Sequence, residues 1–227
     1  MEGEKKGNFV AFSFYKVRPE WRRLPPDARE RGVEQALATL RAQGENLWIR
    51  TYSTQGFRRD ADFLLWVVAQ DLPDIRTFFV DFSRTDMGPY LDQTYHYLAM
   101  TRQSVYLKGA PHTNPGPQTG GVDEWVFVYP FVKSREWYAL PFEARKKMMD
   151  EHIRAGHLFP NVKINTTYSF GLDDQEFVLA FETDSPADFQ ALVMKLRETE
   201  ASRYTVRDTP IFTCLKRPLA DVLRSLS

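Results

Sequence analysis

The side chains in this sequence that could do chemistry are few, and their spacing narrows them further. Four histidines are present, His96, His112, His152 and His157, with a single cysteine, Cys214. No His-Glu-x-x-His pair, paired-cysteine site, glycine-rich phosphate loop or nucleophile elbow occurs, so hydrolase and nucleotide-enzyme chemistry has no positive signal. His152 stands near the end of a helical stretch that opens at Pro141. Met148, Met149, His152 and Ala155 share spacings of three and four, which puts His152 on a partly apolar helix face. Such an imidazole is either a ligand or a helix-end histidine favoured by the dipole. His157, just past Gly156, reads as a cap-region residue, and His96 lies in an alternating strand. Ahead of that helix, Tyr129, Phe131 and Lys133 recur at spacing two and so face one side of a strand. A redox-capable phenol, an aromatic ring and a cation on one face suit a pocket wall. An ordinary strand edge with Lys133 in solvent fits the same spacing.

The elements that must hold these residues occur twice. Glu20-Trp21, Leu24-Pro25 and Ala28-Arg29 return as Glu136-Trp137, Leu140-Pro141 and Ala144-Arg145, each 116 positions later. Asp62-Phe63-Leu64-Leu65 returns as Glu176-Phe177-Val178-Leu179 at an offset of 114, and two such blocks in the same order indicate an internal repeat. Each half reads as strand, helix, strand, strand, helix, strand. The first half predicts strands over 9–17, 47–52, 63–69 and 95–106, with helices from Pro25 to about Gln43, stopped by Gly44, and over 73–83. The second predicts strands over 125–132, 162–170, 177–182 and 204–215, with helices over 141–156 and 186–200. Proline and glycine crowd the stretch between the halves. The expected organisation is therefore an N-terminal ferredoxin-like repeat over 1–107, a linker over 108–123 and a C-terminal repeat over 124–227. The fold class this implies is α+β, two ferredoxin-like units whose antiparallel sheets pack together under covering helices.

Composition sets the outer limits. The chain has 227 residues, 43% of them hydrophobic and 14% aromatic, a globular and not a disordered balance. Thirty basic and 30 acidic residues cancel, so no global field draws the protein to nucleic acid or anionic lipid. One cysteine excludes an intramolecular disulfide, and its apolar strand neighbours predict a buried small hydrophobe. No apolar run has the roughly 18 residues of a membrane helix, and the charged first residues lack a signal-peptide core. A cytoplasmic protein is the expectation.

Tyr129-Pro130-Phe131-Val132-Lys133-Ser134, Trp137-Tyr138-x-Leu140-Pro141, Glu143-x-Arg145, Met149 and His152 together resemble the central motif of the chlorite dismutase superfamily. Within it they look most like the coproheme decarboxylase branch. Gly171-Leu172-Asp173-Asp174-x-Glu176-Phe177 and Arg197-x-Thr199-Glu200-Ala201 carry the resemblance across most of the second half; the first half matches only generally. The resemblance implies two ferredoxin-like repeats packed as a dimeric α+β barrel, usually assembled as a homopentamer. It implies His152 as the proximal ligand of a haem iron, Tyr129 as the tyrosine that forms a radical beside a reacting propionate, and Lys133 as the basic residue that contacts propionates. Trp137 and Ile164 join these as porphyrin-contacting residues, and His112 matches a distal base. The implied reaction is hydrogen peroxide-dependent decarboxylation of iron coproporphyrin III to haem b.

One departure bears on the reaction. Chlorite dismutases carry a distal arginine shortly before the Gly-Leu-Asp-Asp segment, just after a Val-Lys pair. Here Val162-Lys163 is followed by Ile164 and Asn165, and no arginine stands between Leu158 and Gln175. Without a guanidinium to hold an oxyanion, efficient chlorite decomposition is not expected. An acidic residue such as Glu200 is a candidate to orient His152. A haem carrier or sensor would need His152 but not Tyr129 or Lys133. A weak haem peroxidase would need His152 and an open distal side, and a barrel that binds no haem would need none of them.

Overall fold

The computed structural model describes residues 7–42, 47–106 and 123–226. Among the described residues, nine strands and six α-helices follow the twofold order expected from the repeat. The first half holds β1 (Phe9–Val17), α1 (Pro26–Arg41), β2 (Leu47–Ser53), β3 (Phe63–Ala69), α2 (Leu72–Ser83) and β4 (Leu91–Met100). The second holds β5 (Trp125–Lys133), α3 (Arg135–Ala139), α4 (Phe142–Gly156), β6 (Lys163–Tyr168), β7 (Phe177–Thr183), α5 (Pro186–Arg197), β8 (Thr205–Arg207), β9 (Phe212–Lys216) and α6 (Leu219–Ser225).

Strands β4-β1-β3-β2 lie side by side, as do β6-β7-β5-β9, and each set has the order of a ferredoxin-like unit. The two sets join edge to edge. Tyr52 of β2 pairs with Lys216 of β9, and Met100 of β4 pairs with Tyr168 of β6. Since β5 also pairs with β7, eight antiparallel strands close into a barrel and leave no long free edge, with short β8 appended to β5.

Closure buries both faces of the strands, which explains the continuous apolar run Phe63–Ala69 in β3. Leu64, Trp66 and Val68 point into the barrel with Phe12, Phe14, Val128, Phe212 and Cys214. Phe63, Leu65 and Val67 point outward to α1, α2 and α6 with Val33, Leu37, Phe78, Phe82 and Leu223. Inside the barrel, Arg50 Nη1 donates to Glu182 Oε2 at 2.7 Å, and the guanidinium lies 3.8 Å from the Trp48 ring centre. That ion pair ties one repeat to the other.

The elements differ from expectation in places. The strand expected over 204–215 is broken: β8 ends at Arg207 and β9 begins at Phe212, with Pro210, which has no N–H for a ladder, in the gap. The helix expected to reach residue 200 ends at Arg197 and gives way to a 3-10 turn over Glu200–Tyr204. The last strand of the first half occupies 91–100 instead of 95–106. Gly44 and residues 108–122 of the expected linker, including His112, lie outside the described residues.

Candidate functional site

The site grows from one face of β5. Phe127, Tyr129, Phe131 and Lys133 alternate with the barrel-facing Val126 and Val128, so the first set looks outward toward α4 and α5. Tyr129 is only 7% exposed. Its ring stacks on Phe181 at 5.6 Å, and it shares an apolar cluster with Phe127, Ile164, Leu179, Phe189 and Leu192. Burial raises its phenol pKa above the usual tyrosine range, with Asp208 adding to the rise and Arg197 opposing it. Arg197 and Asp208 form an ion pair of 2.5 Å beside that phenol.

Lys133 ends the strand and is also buried, 8% exposed. Its Nζ donates to the Ala201 carbonyl at 2.5 Å and lies 4.7 Å from the Trp137 ring centre, within cation–π range. Burial lowers its pKa to about 8, against the pull of Glu176. The Lys133 backbone N–H donates to Glu176 Oε2 at 2.8 Å, and the Tyr138 hydroxyl donates to the same oxygen at 2.6 Å. Trp137 sits on α3 at 3% exposure and packs with Met148 and Ala201. The lysine is therefore a cation held in an aromatic recess, not one extended into solvent.

His152 lies on α4, one turn before the helix ends. Its Nδ1 is 3.0 Å from Thr199 Oγ1, and that hydroxyl is 2.7 Å from the Leu196 carbonyl oxygen. Nε2 has no protein partner among the described residues. Burial, and then the Lys133 ammonium, hold the imidazole pKa down to about 4, so the ring is neutral at pH 7. Glu200 is exposed, and its backbone N–H donates to Glu151 Oε2 at 3.3 Å. The residue beside His152 is thus Thr199, not the carboxylate expected from the sequence. The early end of α5 at Arg197 turns Thr199 inward and Glu200 out.

The turn over 199–201 gathers the site: Thr199 meets His152 while the Ala201 carbonyl meets Lys133. Ile164 on β6 lies in the Tyr129 cluster and reaches the end of α4, where a Cβ on Gly156 would stand 3.8 Å from its Cδ1. Position 164 itself carries no charge to stand in for an arginine. His157 caps α4 and is exposed; His96 is exposed on β4, where Phe79 meets its ring edge-on at 5.2 Å. Neither belongs to the site. Arg145 was visible in the motif, but its position was not: it stands seven residues before His152 on α4, and its buried Nε has no partner among the described residues.

The repeat isolates what is special in the second half. Asp62 accepts from the Val17 backbone N–H at 2.8 Å, just as Glu176 accepts from that of Lys133. Trp21 and Trp137 are both buried just before the proline that opens a helix. Counting back 116 positions, however, Tyr129, Lys133 and His152 become Ser13, Val17 and Ala36. In the first half Val17 and Ala36 pack in a closed apolar core. At these three positions the same scaffold carries the tyrosine, lysine and histidine in one copy only.

These residues fit an iron porphyrin. Among the described residues no group of three His, Cys, Asp or Glu side chains comes together, so His152 would bind a metal without other side-chain ligands; a macrocycle that fills four positions itself needs only one. Aromatic and aliphatic side chains suit its faces, and Lys133 and Arg145 suit its carboxylates.

A family model described as chlorite dismutase matches residues 4–217, and the chain belongs to that family. It is 33% identical over 208 residues to a protein of Mycolicibacterium smegmatis named coproheme decarboxylase, covering 90% of this chain and 88% of that one. It is 31% identical to a chlorite dismutase of Ideonella dechloratans, covering 97% of this chain and 80% of the relative. The chlorite dismutase of Candidatus Nitrospira defluvii, solved in complex with imidazole, superimposes with a TM-score of 0.89 at 26% identity, over 98% of this chain and 96% of that one.

Proposed function

We propose that this chain binds iron coproporphyrin III through His152 and, with hydrogen peroxide, converts it to haem b by two oxidative decarboxylations. The observation that carries the reading is the set His152, Tyr129 and Lys133 on elements of the second repeat that face one another, at positions where the first repeat has Ala36, Ser13 and Val17. The relatives named coproheme decarboxylase support the same reaction. Each round is balanced as one propionic acid group plus one peroxide giving a vinyl group, one CO2 and two waters.

The bound iron supplies the one-electron oxidising chemistry that activates peroxide. The chain supplies the rest. His152 Nε2 offers a lone pair, Lys133 and Arg145 offer cations for propionates, and the Tyr129 cluster keeps water from the reacting edge. Tyr129 gives up its phenolic hydrogen atom and takes one from a propionate side chain; loss of CO2 and a second electron then leaves the vinyl group. His112 remains the candidate distal base. The protein works as a haem-pathway enzyme of the cytoplasm, assembled as a homopentamer on the pattern of its family; no helix among the described residues is long and apolar enough to cross a membrane.

Chlorite is the alternative substrate that the Ideonella relative raises. Ile164 argues against it, since an apolar side chain gives a departing oxyanion nothing to pair with. Spectroscopic titration with iron coproporphyrin III tests the ligand. His152→Ala is expected to abolish the high-spin ferric spectrum that the unmodified chain and His157→Ala both give. Loss of that spectrum in His157→Ala alone would place the ligand one turn away and end this reading.

A further inference from the structure

The contact between His152 and Thr199 decides more than position. A hydroxyl has one proton, and here two acceptors compete for it, His152 Nδ1 at 3.0 Å and the Leu196 carbonyl at 2.7 Å. The carbonyl can only accept, whereas an imidazole nitrogen can do either. Only one arrangement makes both bonds: Nδ1–H donates to Thr199 Oγ1, and Oγ1–H donates to Leu196 O. The reverse forfeits the bond from Oγ1–H to Leu196 O, at a site where Thr199 is 4% exposed and water does not readily replace it. Free histidine prefers its proton on Nε2, the tautomer that cannot bind a metal through that atom.

We propose that Thr199 is the positioning residue that holds His152 in the Nδ1–H tautomer, so that Nε2 presents its lone pair before any porphyrin arrives. This rests on the reading of His152 as an iron ligand and adds the reason that it is ready to act as one. The fixed end of the relay is the last turn of α5. Leu196 O also accepts the Thr199 backbone N–H at 3.2 Å, so hydroxyl and main chain are clamped to one carbonyl. The ring cannot rotate away without breaking the relay.

The choice of a hydroxyl has a chemical consequence. A carboxylate in this place would draw the Nδ1 proton toward itself and make the imidazole a stronger donor. A threonine whose own proton is committed to Leu196 leaves the proton on His152. His152 would then hold a porphyrin as a neutral imidazole, which suits a group that enters as substrate and must leave as product.

The test uses the ligand-free chain, labelled with 15N, because ring-nitrogen shifts and their couplings to the ring hydrogens report which nitrogen carries the proton. The unmodified protein and Thr199→Ser are expected to show His152 protonated at Nδ1. Thr199→Val, nearly the same shape without the hydroxyl, is expected to move the proton to Nε2 and weaken iron coproporphyrin III binding about 10- to 100-fold. Thr199→Asp is expected to lower the reduction potential of the bound iron and slow porphyrin release. An Nε2–H tautomer in the unmodified chain overturns the proposal even if Thr199→Val fails to fold. A tautomer unchanged by Thr199→Val does the same. If the tautomers behave as stated but no variant binds the porphyrin, Thr199 keeps its assignment and the proposed function fails.

Discussion

Tyr129→Phe separates binding from turnover more sharply than any other single change. The ring of Tyr129 supplies the stacking on Phe181 and the packing in the cluster around Ile164 and Leu192, and phenylalanine keeps all of it. The hydroxyl makes no hydrogen bond to a described residue, so its removal forfeits at most about 1 kcal/mol, and relief of its desolvation offsets part of that. For a chain of this size such a change moves the melting temperature by no more than about 2–4 °C. Tyr129→Ala, by contrast, empties the ring site and is expected to cost about 3–5 kcal/mol, as for other buried aromatics. The assay pairs a melting curve and a porphyrin titration with mass spectrometry of the porphyrin after peroxide. The phenylalanine variant is expected to melt and bind like the parent and to return unreacted coproheme, because its ring has no O–H hydrogen to give. Ordinary haem b formation by this variant would make Tyr129 a packing residue and refute the radical route; loss of binding would show that the hydroxyl holds substrate.

Other changes probe neighbouring parts. Lys133→Ala is expected to weaken iron coproporphyrin III more than haem b, since the former has four propionates to pair and the latter two; equal losses in parallel titrations would show that the lysine only packs on Trp137. Ile164→Arg is expected to raise oxygen release from chlorite, followed with an oxygen electrode, above the slow rate of the parent; rapid release by the parent itself would contradict the role given to Ile164. Glu182→Ala strands the Arg50 cation inside the barrel, and denaturant unfolding is expected to show a loss of about 3–5 kcal/mol; a neutral result would mean the pair adds nothing to the joining of the two repeats.

The fold was readable in the sequence because the repeat doubled every signal. Trp21 and Trp137, each followed three residues later by Leu-Pro, announced the same helix entry twice, and the apolar run over 63–69 was readable as the strand β3. The elements that escaped notice are those whose local signals are weak. β4 begins among polar residues, half-buried Asp92 and exposed Gln93 and Thr94, which alternation does not mark. The seven residues of α6 are too few for a helical period to stand out. The break between β8 and β9 needed Pro210 to be weighed against the apolar residues on either side.

In the site, residue type and period located His152, Tyr129 and Lys133 on the right elements, but not their partners. Thr199 stood in the motif beside Glu200, and charge favoured the carboxylate as the group that orients an imidazole. What decided otherwise was where α5 stops, a matter of one turn that propensity leaves open. The recess that holds Lys133 is likewise built from residues far apart in the chain, Trp137, Glu176 and Ala201. No spacing rule could gather them.

The central claim is that this chain carries out the reaction, not merely that it binds the porphyrin. Purified protein loaded with iron coproporphyrin III and given hydrogen peroxide in small steps, with the porphyrin followed by mass spectrometry, tests it most directly. The expected result is two successive losses, each of one CO2 and two hydrogens, through a three-propionate intermediate to haem b. Loaded protein that consumes peroxide while the porphyrin keeps all four propionates, or is simply bleached, would contradict the account.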